Sequence, residues 1–331
     1  MKVVILGAGS TIGTFNGASL GVDRFVDRLY YVRGVSWRDE YRGLCRVIGD
    51  CKSPPGKTPS LDRVWTRIDY YSKLDRSLGT TPGDASLDLH KALLDAYSLT
   101  ADERAALAEA DAEFTLKTIL RPLDSGDALI SFNWDTAAER VAKTLNLDLA
   151  SAHESRIRLI KPHGSLSWRH CAAKPGSQEC AVHWSDNGAP LLEPMNPCDV
   201  VPHDGGQNAH FCEPLVLGAV PIKSELLREV QREHAGVYER VADQWAEVVR
   251  AITHASELVV AGYGFPPEDG YGHFLLREAA GRRGRTPLSI VYYSLPIDRA
   301  KVEASMRDIF GDDVNYRFAG CVKSLPGWRS S

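Results

Sequence analysis

Close cysteine pairs are missing from this chain: its seven cysteines stand at 45, 51, 171, 180, 198, 212 and 321, with no Cys-x-x-Cys among them. An odd, scattered set fits reduced thiols rather than a disulfide framework. His170, His183, His203 and His210 lie among the later cysteines. Metal sites are normally marked by close ligand pairs, so no structural metal is expected. A basic excess is missing too. The formal net charge is −4, which offers no general footprint for a phosphate backbone, so direct nucleic-acid binding is not expected. The one basic run, Arg277 to Arg285 with Arg282-Arg283-Gly284-Arg285, reads as a solvated helix end, where cations suit the dipole. No apolar stretch reaches the length a bilayer demands, so no membrane association is expected. Met1 runs into Val3-Val4-Ile5-Leu6 without a charged leader, which predicts no signal peptide and a cytoplasmic chain.

What is present is strand–helix alternation. Hydrophobic residues make up 44% and charged residues 25%, a balance that can supply a large core for 331 residues. Strands are expected at 2–6, 128–132, 157–161, 215–217, 257–262, 288–293 and 314–318, with helices near 136–145, 223–254, 270–281 and 298–310. That order predicts one α/β domain over 1–331, a mainly parallel, doubly wound, Rossmann-like sheet with helices on both faces. Two segments interrupt it. Residues 22–122 read as a helical insertion: Trp37, Tyr41, Leu44 and Cys45 repeat at helical spacing behind Ser36, a candidate cap. Leu61, Val64, Trp65, Ile68 and Tyr71 do the same, and Thr100-Ala101-Asp102-Glu103 spells a capping box for a helix ending before Pro122. Residues 170–213 are polar and loop-rich and read as a small module. An ordinary dinucleotide fold has a strand and a ribose-binding acid where the helical insertion stands, which argues against a standard dehydrogenase.

Four motifs follow apolar runs, where open α/β sheets place ligands. Gly7-Ala8-Gly9-Ser10-Thr11, with Gly13, is one residue off the dinucleotide fingerprint; it suits either backbone amides around a pyrophosphate or a bare strand–helix turn. Asn133 and Asp135 in Ser131-Phe132-Asn133-Trp134-Asp135 are good helix caps. Yet an amide between Phe and Trp at a strand end is costly unless it meets a ligand or water. His163 in Lys161-Pro162-His163-Gly164 is either structural or a base near neutral pH, with Gly164 clearing space beside the ring. An amide, a carboxylate and an imidazole on one edge suit chemistry on a sugar. Gly262, Tyr263 and Asp269 follow the 257–262 strand; Pro266-Pro267 would end that strand in any case, and Asp269 also suits a cap for a helix near Tyr271. Tyr292 suits either adenine contact or core packing.

The order Gly-rich turn, Asn-x-Asp, His-Gly, then Gly262-Tyr263-Gly264-Phe265-Pro266-Pro267-Glu268-Asp269 resembles the sirtuin-like NAD-binding family. Pro221-x-Lys223 and Trp245 fall where its bacterial group tends to have them. The resemblance covers residues 1–20 and most of 128–293. The deacylase stretch Gly-Ile-Pro-Asp-Phe-Arg is replaced by Thr14-Phe15-Asn16-Gly17-Ala18-Ser19, and paired zinc cysteines are missing, so acyl-lysine chemistry is not favoured. The helical insertion, Trp134 and the Gly-Tyr loop look like the bacterial branch that hydrolyses NAD, often in antiviral defence. The resemblance implies an NAD+ glycohydrolase with NAD as substrate and no metal. It casts Asn133 as holder of ribose and water, His163 as general base and Asp135 as an electrostatic aid. Gly7, Ala8, Gly9, Ser10 and Thr11 would hold the diphosphate; Gly262 and Tyr263 would meet the adenosine end, Tyr292 would touch adenine, and Asp269 would be a further cofactor contact. It further implies control by an Argonaute-like or ATPase partner, or by homo-oligomerisation. The rival readings are an NAD-dependent protein deacylase and a non-catalytic NAD or ADP-ribose sensor.

Overall fold

The computed structural model describes residues 1–10, 25–50, 59–74, 82–111, 113–150, 155–172, 211–216, 235–266, 269–284 and 286–322. Its main sheet holds seven strands: β1 (Lys2–Leu6), β2 (Ala128–Ser131), β3 (Leu149–Ala150), β4 (Ile157–Ile160), β7 (Glu257–Ala261), β8 (Ser289–Ser294) and β9 (Asn315–Cys321). Their order is β3-β4-β2-β1-β7-β8-β9, and every pairing is parallel. The expected doubly wound α/β sheet is therefore present. The chain leaves β1 towards β2 on one side, and leaves β7 towards β8 on the other. The β1/β7 boundary is thus the topological switch point, where such sheets open a crevice beyond their carboxyl ends.

Alternation along each strand builds the two faces. Val4, Leu6, Leu129, Leu159, Val259 and Ala261 enter one core, with helices α1 (Phe25–Arg33), α3 (Arg42–Asp50), α4 (Leu61–Leu74), α5 (Pro82–Tyr97), α6 (Ala101–Glu109), α7 (Thr115–Leu120) and α8 (Ala137–Thr144). Val3, Ile5, Ile130, Ile160, Leu258 and Val260 enter the other, under α9 (Ala235–His254), α10 (Gly270–Arg283) and α11 (Arg299–Phe310). Strands covered on both faces are mostly apolar along their length, which is why these runs of four or five residues read so plainly. Strand β9 is an edge and alternates exposed with half-buried residues.

Several local expectations are corrected. The helix expected from Thr100 to Pro122 is two helices. The Thr100–Glu103 capping box is bonded in both directions, but α6 ends at Glu109, and Asp111 accepts from the Glu113 amide before α7 begins at Thr115. Ser36 makes no capping bond; the chain bends at Tyr41 and divides the helix into α2 (Trp37–Glu40) and α3. Of the strand expected at 215–217, the described residues 215 and 216 do not belong to the main sheet. They lie in β6 (Phe211–Val216), antiparallel to β5 (Gly164–Ala172), a strand that begins directly after His163 and was not expected. The run 282–285 is not simply solvated. Arg283 is buried, and its guanidinium donates to Ile252 O, Ala255 O and Pro287 O, closing the end of α9 onto the turn after α10. A second buried guanidinium, on Arg28, joins α1 to Glu103 of α6. Among the described residues, no helix is long and apolar enough to cross a membrane.

Candidate functional site

Register brings the motifs to one edge. Leu6 is level with Ser131 and with Ala261, and Ile130 is level with Ile160. The next residues in each strand, Gly7, Phe132, Gly262 and Lys161, therefore emerge together at the carboxyl end of the sheet.

On the β1 side, a short 3-10 turn over Ala8–Ser10 follows the strand. Its amides are already engaged: Gly7 N donates to Ala261 O (3.0 Å), Gly9 N to Gly262 O (2.7 Å) and Ser10 N to Gly7 O (2.8 Å). A Cβ on Gly9 would stand 2.7 Å from Gly262 Cα, and one on Gly7 would stand 2.5 Å from Tyr263 Cα. Gly262 itself has φ +62°, and any side chain there would overlap Ser10 N and Gly9 C. The glycines let two backbone segments touch, one from each side of the switch point. Thr11 and Gly13 lie outside the described residues.

Asn133 faces this turn. It is almost fully buried, and its Nδ2 donates to Gly7 O at 3.1 Å and to Ser10 Oγ at 3.4 Å. Gly7 O also accepts from Ser10 Oγ at 2.8 Å. The carboxamide thus ties β2 to the glycine turn through its nitrogen.

Asp135 is buried and its Oδ1 accepts the Ala137 amide at 2.8 Å, so it does fasten the first turn of α8. Burial pushes its carboxyl up to about 6, against the pull of the nearby Lys161 charge. Lys161 has no exposed surface. Its ammonium donates to Asp135 O (2.6 Å) and Glu139 Oε1 (2.7 Å), while its backbone amide donates to Gln244 Oε1 (3.0 Å). The fixed charges behind the Asn133–Asp135 turn are therefore Lys161 and Glu139, to which the sequence reading assigned no role. A signal existed: Glu139 sits among Ala137, Ala138, Val141 and Ala142, and a carboxylate on such a helix face needs a buried cation.

His163 is brought in by β4 and held from two sides. Trp245 Nε1 on α9 donates to Pro162 O at 2.8 Å, and Gly164, at φ +79°, turns the chain into β5. The imidazole meets the edge of Phe132 at 5.1 Å, and Phe132 stacks on Tyr263 at 4.4 Å. Asp269 is drawn to the same place. Its Oδ2 lies 2.8 Å from His163 Nε2 and accepts from Tyr263 OH at 2.7 Å, while Oδ1 caps α10 through the Gly272 amide at 3.0 Å. Tyr263, expected at the adenosine end, and Asp269, expected as a cofactor contact or a cap, thus stand beside the imidazole. Tyr292 is buried between β8 neighbours, with its hydroxyl on Glu303 and its ring near Phe318, a packing position. Among the described residues no cluster of three or more His, Cys, Asp or Glu side chains is arranged to hold a metal. Cys180, Cys198, His183, His203 and His210 lie outside the described residues.

Comparison with known proteins gives little at the level of sequence: no family model matches, and no curated protein matches. Solved structures overlap it. A structure from a study of the mechanism and regulation of Sir2 enzymes is 15% identical, with a TM-score of 0.37, over 96% of this chain and 86% of the other. A Sir2 complex with a p53 peptide and NAD+ is 14% identical, with a TM-score of 0.32, over 93% of this chain and 91% of the other. A structure addressing sirtuin substrate affinity is 14% identical with a TM-score of 0.30, over the same shares of the two chains.

Proposed function

We propose that this chain is an NAD+ glycohydrolase. The bond between ribose C1′ and the nicotinamide nitrogen breaks, water adds to C1′, and nicotinamide, ADP-ribose and a proton leave. The observation that carries this reading is the Asn133 carboxamide against the glycine turn, 3.1 Å from Gly7 O, at the switch point of a parallel sheet. The imidazole of His163 comes from the next strand along the same edge.

The pyridinium is already a good leaving group, so the protein has to supply orientation, charge placement and an activated water. Asn133 has its nitrogen committed to the turn, which leaves its carbonyl oxygen to accept from a ribose hydroxyl or the water. His163 takes the proton of that water. Asp135 is sealed behind the wall and acts only through its field, together with Lys161 and Glu139. The anchor for the diphosphate is Gly7 to Ser10 with Thr11. The Gly7, Gly9 and Ser10 amides, and the Ser10 hydroxyl on Gly7 O, are engaged within the protein, so this anchor would act through close approach of a backbone without side chains. Gly262 closes the crevice at the adenosine side.

The reading is tested by a time course of NAD+ with purified protein, resolving nicotinamide, ADP-ribose and cyclic product. Asn133→Ala and His163→Ala are each expected to abolish nicotinamide release while the chain still folds, as read by circular dichroism. Wild-type turnover in either variant overturns the assignment. Release that requires an acyl-lysine peptide would favour a deacylase, and NAD+ retained unhydrolysed would favour a sensor. The proposed setting is cytoplasmic antiviral defence. An unrestrained enzyme would drain its own cell, so activity is proposed to rise on contact with an Argonaute-like or ATPase partner or on homo-oligomerisation. Full turnover in a dilute monomer would overturn that control.

A further inference from the structure

The His163–Asp269 contact joins residues 106 positions apart, and its chemistry is more specific than proximity. Among the contacts of Asp269 are Gly272 N on Oδ1, and Tyr263 OH with His163 Nε2 on Oδ2. The amide can only donate, and a phenol facing a carboxylate donates. Burial, with the carboxylate beside it, holds the Tyr263 phenol far above its ordinary titration range, so it keeps its proton. Asp269 is thus an acceptor at both oxygens, and the group it faces on His163 must be an N–H.

Phe132 packs edge-on against the imidazole at 5.1 Å and offers no acceptor. Tyr263 is stacked on Phe132 at 4.4 Å and braced by Phe265 at 4.8 Å, which fixes where its hydroxyl points. The carboxylate is fixed in turn by capping α10, since an N-cap side chain that rotates away gives up the Gly272 bond.

We infer that Asp269 is the positioning residue of His163, holding the neutral imidazole with its proton on Nε2, so that Nδ1 is the ring's only basic nitrogen and the atom that takes the proton in the reaction. The inference rests on the reading of His163 as the base in NAD+ hydrolysis. Its structural half stands apart from that reading, because the tautomer exists whether or not the chain turns over NAD+. Asp269 itself touches no reacting atom in this scheme. Tyr263 serves by keeping the carboxylate oriented.

Asp269→Asn is the decisive variant. Asn caps a helix as well as Asp does, so Oδ1 still accepts from Gly272 and α10 still starts there. The amide nitrogen then faces His163 and can only donate, which forces the neutral ring to accept at Nε2 and carry its proton on Nδ1. Nitrogen NMR of histidine-labelled, ligand-free protein, with His163→Ala to assign the signal, reads this directly. The Nε2–H tautomer is expected for wild type and the Nδ1–H tautomer for Asp269→Asn. The same tautomer in both chains overturns the inference. In the nicotinamide-release assay, kcat is expected to fall by about 10²–10⁴-fold with KM held within a few-fold, as for loss of a general base. An unchanged kcat overturns the inference in an active enzyme. Tyr263→Phe, which keeps the ring stack, is expected to retain the Nε2–H tautomer; inversion there would give the control to Tyr263 and overturn the role of Asp269. Failure of the NAD+ reading shows differently: wild type releases no nicotinamide while the tautomers still invert.

Discussion

The two walls of the crevice are built on opposite principles. On the β1/β7 side, Gly7–Ser10 and Gly262–Tyr263 meet backbone to backbone, with Gly9 N on Gly262 O at 2.7 Å and no room for a side chain between them. On the β2/β4 side, Asn133–Asp135 and Lys161–His163 meet through buried side chains, with the Lys161 ammonium between Asp135 O and Glu139 Oε1. The first wall is set by sterics and tolerates no added atom. The second is set by charge and tolerates no lost partner. Asn133 Nδ2 on Gly7 O joins the two, so the division is tested by substitutions made within each wall away from that bond.

The largest effect is expected at Gly262. An added methyl overlaps Ser10 N and Gly9 C, at a residue with φ +62°. Left-handed strain and overpacking together should remove roughly 5 kcal/mol, read by urea unfolding. Gly264, two residues on, has open space at its Cβ position, so Gly264→Ala should cost less than about 1 kcal/mol. Similar losses at both positions would dissolve the steric wall. Lys161→Met comes next, because it leaves Glu139 charged and buried beside an oxygen, Oε2, that already has no hydrogen-bond partner. A loss of about 3–4 kcal/mol is expected, largely recovered by adding Glu139→Leu. No recovery in the double variant would mean that the pair is not the element holding this wall.

A pH experiment sharpens the same wall. Burial lifts the Asp135 carboxyl to about 6, above its unfolded value. Between about pH 4 and 6 the folded chain keeps a proton that the unfolded chain has lost, so this contribution favours folding at low pH. It fades as pH rises through 6. Asp135→Asn cannot make that loss. Its stability relative to wild type should grow by about 3 kcal/mol from pH 4 to pH 7, measured as a difference of unfolding curves. A relative stability that falls with pH would mean that the Lys161 field outweighs burial. The smallest effect is expected at Tyr292→Phe, outside both walls. Loss of the contact with Glu303 should cost about 1 kcal/mol or less and leave nicotinamide release unchanged. A marked rise in KM for NAD+ would place Tyr292 at the adenosine end.

Much of this architecture could be read from residue order, for a physical reason. Strands covered on both faces are mostly apolar along their length, so Val3–Leu6, Leu129–Ile130 and Leu258–Ala261 could be little else. Parallel pairing then sends every motif that follows such a strand to the same edge, which is why Asn133, His163 and the glycine turn could be grouped before any distance was known. The two-residue strand β3 is too short to carry a period. The β5–β6 pairing spans residues 164 to 216 and depends on contacts that local patterns do not encode. The two glycines at 7 and 9 announced close backbone approach, but not what approaches: a pyrophosphate and the Gly262 carbonyl impose the same demand for a missing Cβ.

Asp269 shows the boundary most sharply. Its sequence context marked it as a helix cap, and it is one, because capping is decided within three residues of chain. Its bond to His163 depends on the folding of β4 and β7 on opposite sides of β1, which no short stretch of sequence specifies. Local sterics and periodic burial determine which elements form and where they end. Which charged atoms then share a buried space is decided by packing, because a polar side chain meets its long-range partner only after the sheet has fixed both ends.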